Sequence, residues 1–148
     1  MLVKDVMTLS PICCKPSDTL DRVAAMMEEH GCGVVPVCDD RKLVGIVTDR
    51  DITCRTVALG KTPAVVPVSD MMTRTVFTIR QNDDVQAAIE LMEAKQVRRL
   101  PVVDDQGNVV GIVAPSDLAP TFASTDVADF LLAVSYWTRR PAVSPAAS

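Results

Sequence analysis

Residues 44–51 read VGIVTDRD, and residues 110–117 read VGIVAPSD. In both stretches a short run of valine and isoleucine, which favour β-strands, leads into a polar segment that carries an aspartate. Threonine, aspartate and proline are typical of the first positions of a helix. The sequence therefore predicts the same strand-to-helix junction twice, and this internal repeat decides the fold.

The repeat extends outward from these junctions. Upstream, DVMT at residues 5–8 recurs as DMMT at residues 70–73. The two copies fill residues 2–58 and 66–122, which we expect to form two units of one fold. Residues 59–65 lie between the copies and contain a glycine and a proline, so we predict a linker there.

Each copy predicts the element order βαββα. A short extended segment, at residues 12–14 or 77–79, precedes a helix. Two β-branched runs joined by a polar turn then predict a hairpin, and a second helix begins near Asp49 or Pro115. The predicted fold class is α/β in the broad sense (α+β), with two such units.

The first helix of each copy has one apolar face. Its apolar residues recur at helical spacing: Leu20, Val23, Ala24 and Met27 in the first copy, and Val85, Ala88, Ile89 and Met92 in the second. Asp18 and Asp83 precede these helices and are predicted to be their N-caps.

Residues 124–138 follow the repeats and are predicted to form a C-terminal amphipathic helix. The apolar residues at helical spacing are Val127, Phe130, Leu131 and Val134. Two alternatives stay open: the apolar face packs back onto the repeats, or it covers a dimer or effector surface. Residues 139–148 contain two prolines and are expected to be a frayed tail.

The composition excludes several classes of protein. The 148 residues carry a net charge of −4, and the pI is about 4.9, so we expect no nucleic-acid partner. No apolar run reaches the length of a membrane span, and Lys4 and Asp5 stand where a signal peptide would be apolar. We therefore expect a cytoplasmic protein with no membrane partner.

All five cysteines lie in the first 54 residues. An odd number without a secretion signal favours reduced thiols over a disulfide framework. Adjacent Cys13 and Cys14 lack the spacing of a zinc knuckle, so no metal site is expected. A less favoured alternative is that Cys13 pairs with Cys38 or shares a metal with it, provided that their strands are neighbours.

The duplicated h-x-P-V strand and G-h-h-T-x-x-D junction resemble the cystathionine-beta-synthase (CBS) domain family. The tandem arrangement resembles a CBS pair, or Bateman module, over most of the chain. The resemblance implies two βαββα units packed sheet to sheet about a pseudo-two-fold axis, usually within a homodimer. It also implies an adenosyl ligand, such as AMP, ADP, ATP, S-adenosylmethionine or NAD, in the cleft between the units. The ligand would be regulatory rather than a cofactor, and the module would act on an unknown protein partner in trans.

Gly45, Thr48 and Asp51 are the candidate ligand-binding residues of the first copy. A carboxylate in the first turn of a helix can accept hydrogen bonds from both hydroxyls of a ribose, and a threonine hydroxyl can add another polar contact. The start of the helix also favours an anionic ligand. The alternative is a capping box, in which Thr48 and Asp51 satisfy backbone N–H groups only.

The second copy departs from this pattern. It keeps Asp117 but has Ala114 where the first copy has threonine, so its site is expected to be weaker, altered or empty. Arg98 and Arg99 precede its h-x-P-V strand and are candidates for binding ligand phosphates. The alternative is that they form a solvated charge pair.

The base of the ligand would need apolar walls. The candidates are Ile12, Val35 and Pro36 in the first copy, and Phe77, Leu100 and Pro101 in the second. Each of these is also a candidate core residue. Arg50 and Arg55 are expected on the surface rather than in the site.

Two other functional classes compete with the sensor hypothesis. One is an interaction protein whose ligand site is vestigial. The other is a redox-responsive or metal-responsive protein that uses Cys13, Cys14 and Cys38. An enzyme is not expected, because His30 has no serine or cysteine partner at a recognisable catalytic spacing and there is no glycine-rich phosphate loop.

Overall fold

A computed structural model describes residues 1–9, 12–123 and 126–135. Within them the chain forms two compact units, each with its own hydrophobic core. The central unit comprises residues 12–76. The terminal unit comprises residues 1–9 together with 77–123 and 126–135.

With two exceptions, the helices and strands follow the predicted repeat. In chain order they are β1 (Thr8–Leu9), α1 (Leu20–His30), β2 (Val34–Asp39), β3 (Lys42–Thr48), α2 (Asp49–Ile52), β4 (Ile79–Arg80), α3 (Val85–Lys95), β5 (Leu100–Val103), β6 (Val109–Val113), α4 (Pro115–Leu118) and α5 (Asp126–Ser135). A π-helical turn, Thr53–Val57, continues α2. The exceptions are β1, which was not predicted, and the predicted extended segment at residues 12–14, which forms an isolated bridge rather than a strand. The mixed α/β class and the presence of two similar units are confirmed.

The central unit is built on the hairpin of β2 and β3. These strands are antiparallel, with Val34 opposite Thr48. The segment before α1 lies on the other side of β2, where Cys14 bridges Val37 in parallel orientation. The apolar face of α1 packs on this arrangement, since Leu20, Val23 and Met27 of that helix are buried in the same core. Ala24, predicted for this face, is exposed instead.

The terminal unit contains a four-stranded sheet in the order β1-β6-β5-β4. The strands β4 and β5 are parallel, and the other neighbouring pairs are antiparallel. All four predicted apolar residues of α3 are buried in the core of this unit. Because β5 and β6 repeat the hairpin of the central unit, the same junction of strand and helix forms at Val113 and Pro115.

The N-cap prediction is wrong by one residue in each copy. Thr19 is the N-cap of α1, and Asp84 is the N-cap of α3, where its side chain accepts a hydrogen bond from the Gln86 N–H. Asp18 and Asp83 instead accept the backbone N–H three residues earlier, at 2.8 and 3.0 Å. They close the turn that leads into the helix, which an aspartate side chain does as readily as it caps.

The compact units and the sequence repeats have different boundaries. Residues 1–9 open the first repeat, but they join the terminal unit: Val3 donates to the Asp83 carbonyl at 2.8 Å, and β1 pairs with β6. Val68 makes the equivalent bond to the Asp18 carbonyl at 2.7 Å in the central unit. Each unit therefore takes its leading segment from the other repeat.

Helix α5 belongs to the core of the terminal unit. Phe130 and Val134 are buried in that core, and the ring of Phe130 stacks on Phe122 at a centroid distance of 4.9 Å. Leu131 and Leu132 are exposed on the other side of the helix. Phe130 and Val134 therefore pack back onto the repeats, which was one of the two alternatives for this helix. The predicted tail, 139–148, lies outside the described residues.

Candidate functional site

The junction between β3 and α2 carries a capping box in the central unit. The Thr48 hydroxyl oxygen accepts the Asp51 N–H at 3.0 Å, and the Asp51 carboxylate accepts the Thr48 N–H at 2.9 Å. Sequence and geometry agree here because threonine and aspartate at this spacing satisfy each other's backbone donors. A carboxylate has about four acceptor positions, so Asp51 keeps acceptor capacity beyond this bond.

Arg55 stands next to the Asp51 carboxylate, one helical turn further on. Its Nε lies 3.7 Å from Asp51 Oδ1, and its Nη1 donates to the Met71 carbonyl and the Thr73 hydroxyl at 3.3 and 3.4 Å. The two charged side chains are only 15% and 18% exposed. The prediction that Arg55 lies on the surface is wrong, because the segment at residues 70–73 covers it, whereas Arg50 is exposed as predicted.

The strand register brings the apolar candidates of the central unit towards this junction. Because Val34 lies opposite Thr48, the start of β2 and the end of β3 form one edge of the hairpin. Ile12 reaches the same edge, since it precedes Cys14, which pairs in parallel with Val37. Ile12 is half-buried, whereas Val35 and Pro36, the other two candidates here, are buried.

The matching edge of the terminal unit has different chemistry. The Asp117 carboxylate accepts the Ala114 N–H at 2.8 Å, but alanine supplies no hydroxyl in return. The position that corresponds to Arg55 is Thr121, whose hydroxyl donates to the Leu118 carbonyl at 2.6 Å. The second junction therefore keeps the carboxylate and lacks both polar neighbours that surround Asp51.

Arg98 and Arg99 lie at this edge of the terminal unit. Leu100 pairs with Val113, so the residues just before Leu100 run beside the start of α4. Both arginines are exposed, and Arg99 Nη1 donates to the Arg98 carbonyl at 2.8 Å. The terminal unit thus carries positive charge where the central unit has Gly33 and Val34.

The apolar candidates of the terminal unit differ in accessibility. Leu100 and Pro101 are buried, and Leu100 is part of the core. Phe77 is half-buried, and the Lys95 Nζ lies over its ring at 5.4 Å from the centroid. Sequence reasoning missed Lys95, because the cation–π contact joins two residues that no motif links.

Gly45 has a packing role in addition to its predicted place in the site. A Cβ at Gly45 would lie 3.1 Å from the Thr73 carbonyl oxygen and closer still to the side chain of Met72. At Gly111 a Cβ would lie 2.9 Å from the Thr8 carbonyl oxygen and would press on Met7. The repeated glycine therefore lets the leading segment approach the strand closely.

We expect Gly111→Ala to cost more stability than Gly45→Ala, in a range of about 1–3 kcal/mol. At position 111 the methyl group would lie 2.9 Å from a backbone oxygen, compared with 3.1 Å at position 45, and backbone yields less easily than the flexible methionine side chain that both methyl groups also meet. Chemical denaturation of the two variants measures the difference. The cost of Gly45→Ala should shrink in a Met72→Ala background, and simple additivity of the two changes would contradict steric contact as its cause.

All five cysteines lie in the described part of the chain, and each is a thiol. The described residues contain no group of three or more histidine, cysteine or acidic side chains that could hold a metal ion. None of the helices in this part of the chain has the length and hydropathy of a membrane span.

Comparison with known proteins identifies the repeated unit. The model of the CBS domain matches this chain twice, at residues 3–55 and 68–123. The CBS domain-containing protein YhcV of Bacillus subtilis (strain 168) is 40% identical over 126 residues, which cover 85% of this chain and 89% of that protein.

Two solved structures are similar to the fold. The CBS domain pair of protein MJ0100, in complex with 5'-methylthioadenosine and S-adenosyl-L-methionine, has a TM-score of 0.73 and 32% identity, and the match covers 82% of this chain and 95% of that one. CBSX2 in complex with AMP has a TM-score of 0.70 and 27% identity, with 81% and 94% covered. With both copies of the domain matched, the chain belongs to the CBS domain family and contains a tandem pair of these domains.

Proposed function

We propose that this CBS pair is a non-catalytic sensor that binds an adenosyl ligand and that Asp51 binds the ribose of that ligand. The observation that carries the proposal is the half-buried Asp51 carboxylate at the edge of the hairpin, with Thr48 and Arg55 around it. The MJ0100 pair with its two adenosyl ligands and CBSX2 with AMP support the ligand class.

The capping box and ribose binding are compatible at Asp51. The carboxylate uses one oxygen for the Thr48 N–H, and the other oxygen faces Arg55 at 3.7 Å. Arg55 limits the rotation of the carboxylate, whose remaining acceptor positions are available to hydroxyl groups of a ligand. A held carboxylate also loses less side-chain freedom when the ligand binds.

The terminal unit is proposed to bind ribose more weakly. Around Asp117, Ala114 replaces the threonine and Thr121 replaces the arginine of the central unit, so fewer groups hold this carboxylate in place. Arg98 and Arg99 give this edge positive charge, which suits a phosphate group rather than a nucleoside. The two units of one chain are therefore expected to differ in affinity and in the ligand part that they prefer.

The proposed sensor works by shifting a conformational equilibrium rather than by chemistry. A ligand that binds one arrangement of the chain more tightly raises the population of that arrangement, and a protein partner responds to the change. The partner is unidentified. A cytoplasmic homodimer stays a prediction, for which light scattering of the purified protein is the direct measurement of the oligomeric state.

A thermal-shift screen over AMP, ADP, ATP, S-adenosylmethionine and NAD tests the ligand class. A ligand at about 100 times its dissociation constant adds about 2.7 kcal/mol to the stability of the folded state. This corresponds to a rise in melting temperature of about 5–10 °C for a chain of this size. GTP and CTP serve as controls for the base.

The outcomes of the screen separate the competing functions. A rise with one or more adenosyl compounds and none with the other nucleotides supports the sensor. No rise with any adenosyl compound would favour the interaction protein with a vestigial site. Equal rises with all nucleotides would contradict recognition of the adenosyl group.

A further inference from the structure

Cys13 and Cys38 lie on neighbouring extended segments of the central unit. The Cys14 N–H donates to the Pro36 carbonyl at 3.0 Å, and the Cys38 N–H donates to the Cys14 carbonyl at 2.9 Å. Cys14 therefore sits opposite Val37, and both of these side chains are buried in the core. Side chains alternate along extended backbone, so the residues that flank this pair face the other way.

The thiols of the two flanking cysteines meet on that other face. The side chains of Cys13 and Cys38 are joined by a hydrogen bond. Cys13 is exposed, whereas Cys38 is buried with 8% of its surface exposed. The pair thus combines a thiol that an oxidant can reach with a sheltered thiol in contact with it.

We propose that Cys13 and Cys38 are a redox pair that forms a reversible intramolecular disulfide in response to a peroxide. The inference is independent of the proposed ligand function, because it uses neither the junction at Asp51 nor the adenosyl group. It assigns a chemical role to two of the five cysteines, and it explains why an exposed thiol stands directly against a buried one.

The reaction takes place in two steps that balance. The Cys13 thiolate attacks one oxygen of hydrogen peroxide, the O–O bond breaks, and a sulfenic acid forms at Cys13, while the hydroxide that leaves takes up the proton released when the Cys13 thiol ionised and becomes water. The sulfur of Cys38 then attacks the Cys13 sulfur, the S–O bond breaks, and the departing hydroxyl takes the Cys38 proton to leave as water. In total, two thiols lose two electrons and two protons, and one peroxide becomes two waters.

The electrostatics of the three neighbouring cysteines fit these roles. The hydrogen bond from Cys38 lowers the pKa of the Cys13 thiol, which favours the nucleophilic thiolate. The same hydrogen bond, together with burial, raises the pKa of Cys38, so this thiol stays protonated until the sulfenic acid forms. Burial raises the pKa of Cys14 to about 12, which leaves that thiol inert at neutral pH.

The test oxidises the full-length protein with stoichiometric hydrogen peroxide and maps the product by tandem mass spectrometry. We expect a monomeric species that is two hydrogen atoms lighter, with Cys13 linked to Cys38, and dithiothreitol should restore both thiols. The bond closes a loop of a few tens of residues, so the melting temperature of the oxidised protein should exceed that of the reduced protein by about 6–12 °C.

Matched variants identify the pair. Cys13→Ser removes an exposed thiol, so this variant should fold and should form no disulfide, whereas Cys54→Ser removes another exposed thiol and should leave the bond intact. Cys38→Ser should accumulate sulfenic acid at Cys13, which dimedone traps. The proposal would be wrong if Cys13 and Cys38 both remained thiols after oxidation. It would also be wrong if either of them formed its bond with Cys14 or Cys32, or with a second chain.

Discussion

The rise in melting temperature that an adenosyl ligand causes is expected to disappear in the Asp51→Ala variant. Up to about 2.7 kcal/mol of ligand-linked stability, or about 5–10 °C, depends on binding at a concentration near 100 times the dissociation constant. Asp51 carries the carboxylate that we propose for the ribose hydroxyls, and no other acidic side chain takes part in the capping box of the central unit. Differential scanning fluorimetry with and without the ligand measures the loss.

The ligand-free protein also responds to this substitution. Loss of the capping-box carboxylate costs about 1 kcal/mol, so the melting temperature without ligand falls whether or not Asp51 binds a ligand. The informative quantity is therefore the increment between the ligand-free and ligand-bound proteins. Asp51→Asn is a sharper probe, since its amide oxygen can still accept the Thr48 N–H while the negative charge is absent.

Asp117→Ala is the matched control for Asp51→Ala. It removes the equivalent carboxylate from the terminal unit, where Ala114 and Thr121 stand at the positions of the threonine and the arginine that contact Asp51. We expect Asp117→Ala to reduce the increment less than Asp51→Ala does. An unchanged increment in both Asp51 variants would show that this residue is a cap alone, and the proposed ribose contact would then be wrong.

The individual helices and strands could be predicted because the pattern for most of them occurs twice in the sequence. The Val-Gly-Ile-Val runs end as strands at Thr48 and Val113, and helices begin at Asp49 and Pro115 as predicted. Side-chain periodicity and capping chemistry act over a few residues, so they are visible in the sequence. The N-cap predictions are wrong by one residue because an aspartate side chain can accept a backbone N–H either in the turn before a helix or at the N-cap itself.

The origin of the leading segment in each unit could not be predicted in the same way. DVMT at residues 5–8 and DMMT at residues 70–73 present nearly identical methionine and carbonyl groups to the strand glycines. Either segment fits either unit by local chemistry, so the repeat alone does not decide between them. The choice depends on the path of the chain as a whole, which residue patterns do not encode.

The same limit explains the error at Arg55. Helical position alone suggested exposure, because Arg55 lies four residues after Asp51 on a short polar helix. Its guanidinium is covered by Met71 and Thr73, which belong to the leading segment of the other repeat. Arg55 contacts Asp51 of the candidate ribose site, and the segment that covers Arg55 is the leading segment, whose origin the repeat alone does not predict.

Phe130→Ala is expected to destabilise the terminal unit more than any other substitution considered for it. Phe130 is 1% exposed and stacks on Phe122, so its removal leaves a cavity in the core at a cost of about 3–5 kcal/mol. The melting temperature should fall by about 6–20 °C. Calorimetry of the variant, with circular dichroism to verify the fold, provides the measurement.

Leu132→Ala on the same helix is the control for Phe130→Ala. Leu132 is 63% exposed, and an exposed substitution of this kind changes stability by about 0.5 kcal/mol or less. A helix that is part of the core responds to the two changes very differently, whereas a helix that only covers a partner surface responds weakly to both in the isolated chain. Equal, small effects of the two substitutions would therefore contradict the packing of α5. A large loss of stability in Phe130→Ala alone would support the assignment of this helix to the core of the terminal unit.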